Sequence, residues 1–243
     1  MGKKLKVGDL FAGIGGFSLG LERAGMETAF FCEIEPFCQK VLKKNWPAVP
    51  IYEDVRNLDY DRSIDVICGG YPCQPFSNTG KRKGKKDDRH LWPAMLEQIQ
   101  KLKPSWVICE NVRGHFTLGL DEVLLDLEKS GYSWWAGIIP ASSIGAYHSR
   151  QRIWIVANND SQRMEGCFEE SLLRLRNLQS RQAFKPFQEN ERVFNSHQSR
   201  LCRSLYGLPS GVDRVKALGN AVVPQIPEAL GRAILEVERI YGK

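Results

Sequence analysis

The sequence predicts an α/β protein built on a doubly wound, mostly parallel β-sheet, with a small irregular second lobe. Over residues 1–158, strand-like and helix-like segments alternate, as they do in a series of βαβ units. The strand-like segments are near-continuous runs of valine, isoleucine and cysteine, which is typical of parallel strands buried on both faces. Glycines, prolines and carboxylates follow the ends of these runs, where doubly wound folds place their binding sites.

The elements follow one another in a regular order. Gly25 closes the first helix, Pro36 opens the second, and Pro104 follows the third, so the helix boundaries have sequence signals of their own. The strands are expected at 6–11, 28–34, 64–70, 106–112, 133–140 and 152–157, and the helices at 17–24, 36–44, 91–102, 120–129 and 227–241.

Residues 159–216 differ in composition from the rest of the chain. Asparagine, serine, glutamine and arginine dominate, with ten Lys/Arg against seven Asp/Glu and no clean periodicity. This segment is interpreted as a linker, a disordered insert or a small recognition lobe. Residues 1–158 and 217–243 then form the main domain.

The overall composition is that of an ordinary globular protein, with 42% hydrophobic and 26% charged residues among 243. No apolar run approaches the roughly 20 residues that span a bilayer, and the N-terminus lacks the apolar stretch of a signal peptide. We therefore expect a cytoplasmic protein. None of the seven cysteines forms a C-x-x-C pair, so buried thiols are expected rather than disulfides, and no metal site.

The net charge of +6 is weak evidence for a polyanionic partner, but its distribution is more informative. Residues 79–92 carry two acidic residues, Asp87 and Asp88, against six basic ones. The alternatives are a solvated loop and a phosphate-binding loop. The basic residues are Lys81, Arg82, Lys83, Lys85, Lys86 and Arg89.

The first motif is the glycine-rich turn from Asp9 to Phe17, DLFAGIGGF, between the first strand and the first helix. Glycines let a ligand approach the backbone, and a helix N-terminus attracts negative charge. Glu33, about 20 residues further on, is placed to accept hydrogen bonds from ribose hydroxyls. The turn predicts a nucleoside-containing cofactor; a nicotinamide dinucleotide or merely a tight βα turn are the alternatives.

Two further motifs follow buried strands. In GGYPCQPFS, Cys73 lies between two prolines at a strand end and is a candidate nucleophile; an incidental loop thiol is the alternative. In CENV, Glu110 ends an apolar strand. It either caps a helix or pairs with an arginine, or burial raises its pKa so that it holds a proton near neutrality.

The last two motifs lie in the C-terminal half. Arg150 and Arg152 enter a strand, where arginines usually form surface ion pairs; pointing inward, a guanidinium would hold a carbonyl oxygen. The segment KALGNAVVP, with Asn220, Ala221 and Val222, is interpreted either as a tight turn before the last helix or as part of the site.

Taken together and in this order, the motifs resemble those of the cytosine-5 DNA methyltransferase family. DLFAGIGGF is similar to the family's cofactor turn, GGYPCQPFS to its catalytic loop, ENV to its glutamate motif, SRQRIWIV to its arginine motif and KALGNAVVP to its closing motif. The pair formed by GGYPCQPFS and ENV is the most specific part. The resemblance covers almost the whole chain except 159–213.

The resemblance implies a sheet of the S-adenosylmethionine-dependent methyltransferase type and a covalent mechanism. Cys73 would attack carbon 6 of a cytosine swung out of the duplex. Glu110 would contact N3 and the exocyclic amine, and the arginines at 150 and 152 would complete the catalytic set. Carbon 5 would then accept the methyl group. The enzyme is thus expected to be a DNA (cytosine-5-)-methyltransferase.

The resemblance also implies the binding residues. S-adenosyl-L-methionine is expected as cofactor and S-adenosyl-L-homocysteine as product, in contact with Asp9, Phe11, Ala12, Gly13, Gly15, Gly16, Phe17, Glu33, Ile34, Asp54, Val55, Gly70, Pro72, Leu91, Asn220, Ala221 and Val222. DNA contacts are expected from Gln74, Ser77, Lys81, Arg82, Lys83, Lys85 and Arg89.

Three features depart from the family's pattern. Ile34 stands where an aromatic residue often stacks on adenine, and the recognition region of about 58 residues is short. The arginine-rich segment before the closing motif is poorly defined, with Arg200, Arg203 and Arg214 as candidates.

Four hypotheses remain at this point: a DNA cytosine methyltransferase, a nicotinamide-dependent oxidoreductase, a related enzyme acting on tRNA, and a nucleic-acid-binding module without catalysis. The first accounts for all five motifs, whereas the oxidoreductase gives no role to Cys73 or Glu110. The expected partners are double-stranded DNA and a cognate restriction endonuclease, with no membrane and a monomeric chain.

Overall fold

The computed structural model describes residues 4–72, 91–116, 119–144, 146, 149–164, 168, 170–171 and 217–241. Within this part of the chain, seven strands form one sheet in the order β3-β2-β1-β4-β5-β7-β6. The strands are β1 (Lys6–Leu10), β2 (Glu27–Cys32), β3 (Ile51–Tyr52), β4 (Val66–Gly69), β5 (Trp106–Val112), β6 (Ser133–Pro140) and β7 (Gln151–Asn158).

The first five strands are parallel, and the last two are added in antiparallel pairs. β1 pairs with β2 and β4, β2 with β3, and β4 with β5, all in parallel. β7 runs antiparallel to both β5 and β6. The predicted doubly wound, mostly parallel fold is therefore confirmed. Because β7 is reversed, its N-terminal end lies at the same sheet edge as the C-terminal ends of β1, β2, β4 and β5.

The helices begin and end at residues suited to those positions. Gly15 and Gly25 adopt left-handed backbone conformations at the two ends of α1, and Pro36 occupies the first turn of α2. The helices are α1 (Gly16–Ala24), α2 (Pro36–Asn45), α3 (Trp92–Leu102), α4 (Leu120–Lys129), the three-residue α5 (Ser161–Arg163) and α6 (Gln225–Tyr241).

The helices cover the sheet on both faces, which produces two core layers. One layer joins α3 and α4 to alternate strand residues such as Ile67 and Val107. The other joins α1 and α6 to the opposite strand face, including Val66 and Ile108. Buried strands with apolar side chains on both faces are what a doubly wound sheet requires.

Helix α6 and the segment before it pack against α1, and two glycines of α1 allow the close approach. A Cβ on Gly16 would lie 2.6 Å from the carbonyl oxygen of Val222, and one on Gly20 would lie 2.9 Å from the backbone nitrogen of Glu228. The segment before α6 is consequently packed against the start of α1. This brings KALGNAVVP next to the glycine-rich turn.

Several boundaries differ from those expected. β1 ends at Leu10 because Phe11 turns into a left-handed conformation with φ of 55°. β3 was not predicted, since two residues carry no periodicity. Arg150 lies before β7 and not on a shared strand face with Arg152. In the part of the chain that the structure covers, no helix has the length and apolarity needed to cross a bilayer.

Candidate active site

A cavity of about 520 Å³ opens at the C-terminal edge of the parallel strands. It lies where the strand order reverses between β1 and β4, which is the usual position of the ligand site in an open α/β sheet. Residues following β1, β2 and β4 line it, together with the last residues of β5, the start of β7 and the segment before α6. The four strand-end motifs predicted from the sequence thus meet in one cavity.

The turn after β1 forms one wall of this cavity. Phe11 and Gly13 have φ of 55°, and Gly15, with φ of 85°, precedes α1. A left-handed conformation strains a residue such as Phe11, and such strain is commonly found at functional sites. A Cβ added to Gly13 would meet no atom within 4 Å. Gly13 therefore leaves space in the cavity wall that a ligand can occupy.

Glu33 follows β2 and holds the glycine turn in place. One carboxylate oxygen accepts the Gly13 backbone N–H at 2.6 Å, and the other accepts that of Glu35 at 2.8 Å. The residue is only 8% exposed but lines the cavity. Because each carboxylate oxygen has more than one lone pair, both can accept further hydrogen bonds from a ligand hydroxyl.

Asp54 and Val55 line the cavity after β3, and each is fixed by a neighbour. Arg56 donates from Nε to Asp54 Oδ1 at 2.9 Å and holds the pKa of that carboxyl below its usual range. The buried amide of Gln98 on α3 donates to the Val55 carbonyl oxygen at 3.0 Å. This wall is therefore preorganised by groups that the sequence motifs do not include.

Three of the predicted cofactor contacts, Asp9, Gly15 and Gly16, are not among the residues that line the cavity, and their contact with the cofactor stays a prediction. Asp9 is fully buried and accepts from Ser18 Oγ at 2.8 Å and Ser18 N at 3.2 Å, so it supports the start of α1 from inside. Burial raises the pKa of Asp9 to about 7, although the Ser18 hydrogen bonds oppose that rise.

Glu110 and Arg152 form a largely buried ion pair in the lining of the cavity. Arg152 Nε lies 2.9 Å from Glu110 Oε1, and the side chains are 22% and 12% exposed. The pairing follows from the antiparallel register of β5 and β7, in which Arg152 lies opposite Val112. Val112 is two residues after Glu110, so the side chains of Glu110 and Arg152 lie on the same face of the sheet. Burial raises the pKa of Glu110, while Arg152 and Arg150 act to lower it. The raised pKa favours the protonated acid more than in an exposed glutamate.

The residues after β4 lie directly against Glu110. A Cβ on Gly70 would be 3.2 Å from Glu110 Oε2, so glycine lets the carboxyl group approach this turn. Tyr71 and Pro72 continue the cavity wall. Cys73, the next residue in the chain, lies outside the described residues, as do the DNA-binding candidates Gln74, Ser77, Lys81, Arg82, Lys83, Lys85 and Arg89.

Arg150, which lines the cavity, is hydrogen-bonded to the segment before α6. Its guanidinium donates to the carbonyl oxygens of Gly219 at 2.8 Å and Ala221 at 3.0 Å. The backbone of Arg150 itself is left-handed, with φ of 24°. The geometry thus gives Arg150 an anchoring contact to this segment, and Arg150 also lines the cavity together with Arg152. Its catalytic role stays a prediction.

Most of the predicted cofactor residues line the cavity together. These are Phe11, Ala12, Gly13, Phe17, Glu33, Ile34, Asp54, Val55, Gly70, Pro72, Leu91, Asn220, Ala221 and Val222. Ile34 is 62% exposed at its rim. Sequence reasoning missed Phe37, on the first turn of α2, which supplies an aromatic side chain to the same cavity three residues beyond Ile34. The signal that the sequence offered was an aromatic residue three positions after Ile34.

The chain matches one protein family. The family described as C-5 cytosine-specific DNA methylase matches residues 5–206. The chain is 35% identical over 166 residues to the type II methyltransferase M2.BsuMI of Bacillus subtilis, covering 63% of this chain and 42% of the relative. It is 32% identical over 213 residues to M.DsaV of Dactylococcopsis salina, covering 82% of this chain and 60% of the relative.

Solved structures share the fold. A protein described as a DNA modification methyltransferase encoded within an E. coli prophage superposes with a TM-score of 0.56 at 29% identity, over 65% of this chain and 48% of the other. A Spodoptera frugiperda DNMT2 variant superposes with a TM-score of 0.55 at 22% identity, over 65% of this chain and 51% of the other. The chain spans about half the length of these proteins. The match over 5–206 means that the chain belongs to the C-5 cytosine-specific DNA methylase family.

Proposed function

We propose that this chain is an S-adenosylmethionine-dependent methyltransferase that methylates carbon 5 of cytosine in duplex DNA, with Cys73 as nucleophile. The observation that carries the proposal is the Glu110–Arg152 pair at 2.9 Å beside Gly70, Tyr71 and Pro72. Cys73 is joined directly to Pro72, so the candidate nucleophile is covalently tethered to the wall that contains the acid and the guanidinium.

The cavity fits the proposed cofactor. Glu33 offers buried carboxylate oxygens suited to ribose hydroxyls, and Gly13 leaves open space at the helix N-terminus. Asp54 offers an acceptor suited to an exocyclic amine, and Asn220 and Val222 line the same cavity. When bound, S-adenosylmethionine supplies an electrophilic methyl group, which carbon 5 of the base accepts. A nicotinamide cofactor would leave the Glu110–Arg152 pair without a role.

The protein's own groups would activate the base. A cytosine within a duplex is stacked, so it must first be swung out into the cavity. The Cys73 thiolate forms a bond to carbon 6, and the electron pair of the 5,6 double bond moves to carbon 5, which becomes nucleophilic. After methylation, carbon 5 loses its proton to solvent, the electron pair restores the double bond, and the sulfur–carbon bond breaks to release the thiolate.

Glu110 and Arg152 would stabilise the charge that develops on the ring. Burial raises the pKa of Glu110, which favours the protonated acid that would donate a proton or hydrogen bond to N3. Arg152 uses Nε for Glu110 and NH1 for the Gln151 carbonyl, which leaves further N–H groups for the carbonyl oxygen of the base. Preorganised donors of this kind stabilise the intermediate without reorganisation.

We also propose duplex DNA in the cytoplasm as the substrate and a cognate restriction endonuclease as the functional counterpart. The support is that curated relatives are type II methyltransferases. The basic residues between 79 and 90 would contact phosphates without reading sequence, and 159–216 would contain the recognition determinants.

Methyl transfer from isotopically labelled S-adenosylmethionine to duplex DNA and to tRNA, in parallel, tests the proposal. The expected result is label in DNA only, with bisulfite sequencing locating 5-methylcytosine. Glu110→Gln should lower the rate by a factor of about 10² or more, because it cannot donate the proton. Label in tRNA alone would replace the DNA substrate with tRNA, and no transfer to either would contradict the proposal.

A further inference from the structure

The backbone and the side chain of Tyr71 are both hydrogen-bonded to residues 111–115, at the end of β5 and in the turn that follows it. Its carbonyl oxygen accepts Asn111 Nδ2 at 3.2 Å, and its hydroxyl lies 2.7 Å from His115 Nε2. Its ring packs on Trp92 and His115, with centroid distances of 5.2 and 5.5 Å. Backbone and side chain of Tyr71 are therefore both fixed.

The hydrogen bond between Tyr71 and His115 is buried. The two residues are 4% and 2% exposed, so a hydroxyl or ring nitrogen left without its partner here would carry a desolvation cost. His115 belongs to the 3-10 turn Arg113–Phe116, which directly follows β5. The peptide segment that presents Glu110 to the cavity thus also fixes Tyr71.

Tyr71 lies two residues before Cys73 in the chain. Two residues span at most about 7 Å, and the ring of the intervening Pro72 restricts φ. The position and direction of the Tyr71 backbone consequently limit where the Cys73 thiol can be delivered. His115 itself does not line the cavity, whereas Tyr71 does.

We infer that His115 is a positioning residue for the nucleophile, acting through the Tyr71 hydroxyl. The hydrogen bond fixes the point at which the chain leaves β4, and therefore the separation between the Cys73 sulfur and a base held by Glu110. The inference rests on the proposed function. Misplacement of reacting groups by about 1 Å can slow an enzymatic step by up to about 10²-fold.

The rate of covalent adduct formation on duplex DNA containing 5-fluorocytosine, with S-adenosylmethionine present, tests this directly. Tyr71→Phe and His115→Leu should each slow the adduct by about tenfold. The double variant should be no slower than the slower single variant, because both changes remove the same hydrogen bond. His115→Gln places an amide near the position of Nε2, so it should restore the rate to within about threefold of wild type.

A matched control separates positioning from stability. The Tyr132 hydroxyl donates to the Pro104 carbonyl oxygen at 2.7 Å in a buried site at the opposite edge of the sheet. Tyr132→Phe should lower the melting temperature as much as Tyr71→Phe does, with no change in the adduct rate. Affinity for S-adenosylhomocysteine should be unchanged in Tyr132→Phe and in the two single variants of His115, neither of which lines the cavity.

The outcomes distinguish the two proposals. If wild type forms the adduct but Tyr71→Phe slows it no more than Tyr132→Phe does, the positioning role is overturned. Multiplicative losses in the double variant would overturn it as well. Tyr71→Phe removes a single oxygen atom and carries the test if His115→Leu does not fold. Absence of an adduct with wild type would overturn the proposed function itself.

Discussion

At the scale of single residues, environment gives chemically similar carboxyl groups different roles. Asp9 is enclosed and supports α1, Glu33 binds two backbone amides at the cavity wall, and Glu110 faces the cavity beside Arg152. The sequence predicted Glu33 and Glu110 because they follow buried strands whose ends must meet. It did not predict the enclosure of Asp9, since burial arises only when α1 packs over the sheet.

The pH dependence of stability should reveal the buried Asp9. Its pKa is about 7 in the folded protein and near 3.8 when exposed, so the folded state keeps the proton longer than the unfolded state. The stabilisation is present at low pH and is lost as pH rises through 7. Relative to Asp9→Asn, wild type should lose about 2–3 kcal/mol between pH 5 and pH 8.

Urea unfolding at both pH values measures this difference. The exposed Asp59→Asn, whose side chain is 92% accessible, is the control and should follow wild type. Parallel pH profiles for wild type and Asp9→Asn would mean that the carboxyl ionises normally.

Glu33 should determine cofactor affinity. Glu33→Gln loses the negative charge that we propose accepts ribose hydroxyls, and one of the two backbone-amide contacts of the Glu33 carboxylate. Because hydrogen bonds to charged groups contribute about 1.5–3 kcal/mol, S-adenosylhomocysteine should bind roughly 10- to 100-fold more weakly by calorimetry. Glu27→Gln, at the exposed start of the same strand, should bind as wild type does. Equal affinities for all three proteins would remove Glu33 from the site.

At the scale of elements, the sequence predicted the long strands and helices, but it did not predict the very short strand β3 or the antiparallel direction of β7. The apolar runs of β1, β4 and β5 and the glycine and proline boundaries of α1 and α2 have local causes. β3 has only two residues, and the reversal of β7 depends on how the chain returns to the sheet. The anchoring role of Arg150 depends on a left-handed backbone and on carbonyl groups about 70 residues away, so no local pattern indicates it.

The α1–α6 contact should be intolerant of a methyl group at Gly20. A Cβ there would meet the backbone of Pro224 and Glu228, which cannot move as a flexible side chain does. Gly20→Ala should therefore lower the free energy of unfolding by about 1–3 kcal/mol. It should also weaken S-adenosylhomocysteine binding, since the segment before α6 lines the cavity.

Gly219→Ala is the matched control. Its Cβ would meet no atom within 4 Å, although Gly219 belongs to the same segment. Its unfolding free energy should stay within about 0.5 kcal/mol of wild type. Equal destabilisation by the two alanines would argue against a close-packed glycine contact.

At the scale of the whole molecule, the fold brings distant segments to one sheet edge. The glycine turn, Glu33 and Gly70 follow parallel strands, so they lie at the same sheet edge. The antiparallel β7 contributes Arg152, and the segment before α6 contributes Asn220 to the same cavity. The sequence predicted this convergence because strand ends in a doubly wound sheet meet. The recognised DNA sequence was not predictable, since 159–216 has neither periodicity nor a motif.

Covalent trapping on duplex DNA containing 5-fluorocytosine, read as intact protein mass, tests the central claim most directly. Fluorine at carbon 5 cannot leave as the proton does, so the sulfur–carbon bond should persist after methylation. We expect wild type to shift by the mass of the methylated oligonucleotide and Cys73→Ser to remain unshifted. An equal mass shift in both proteins, or none in wild type while its methyl transfer continues, would contradict a Cys73 adduct.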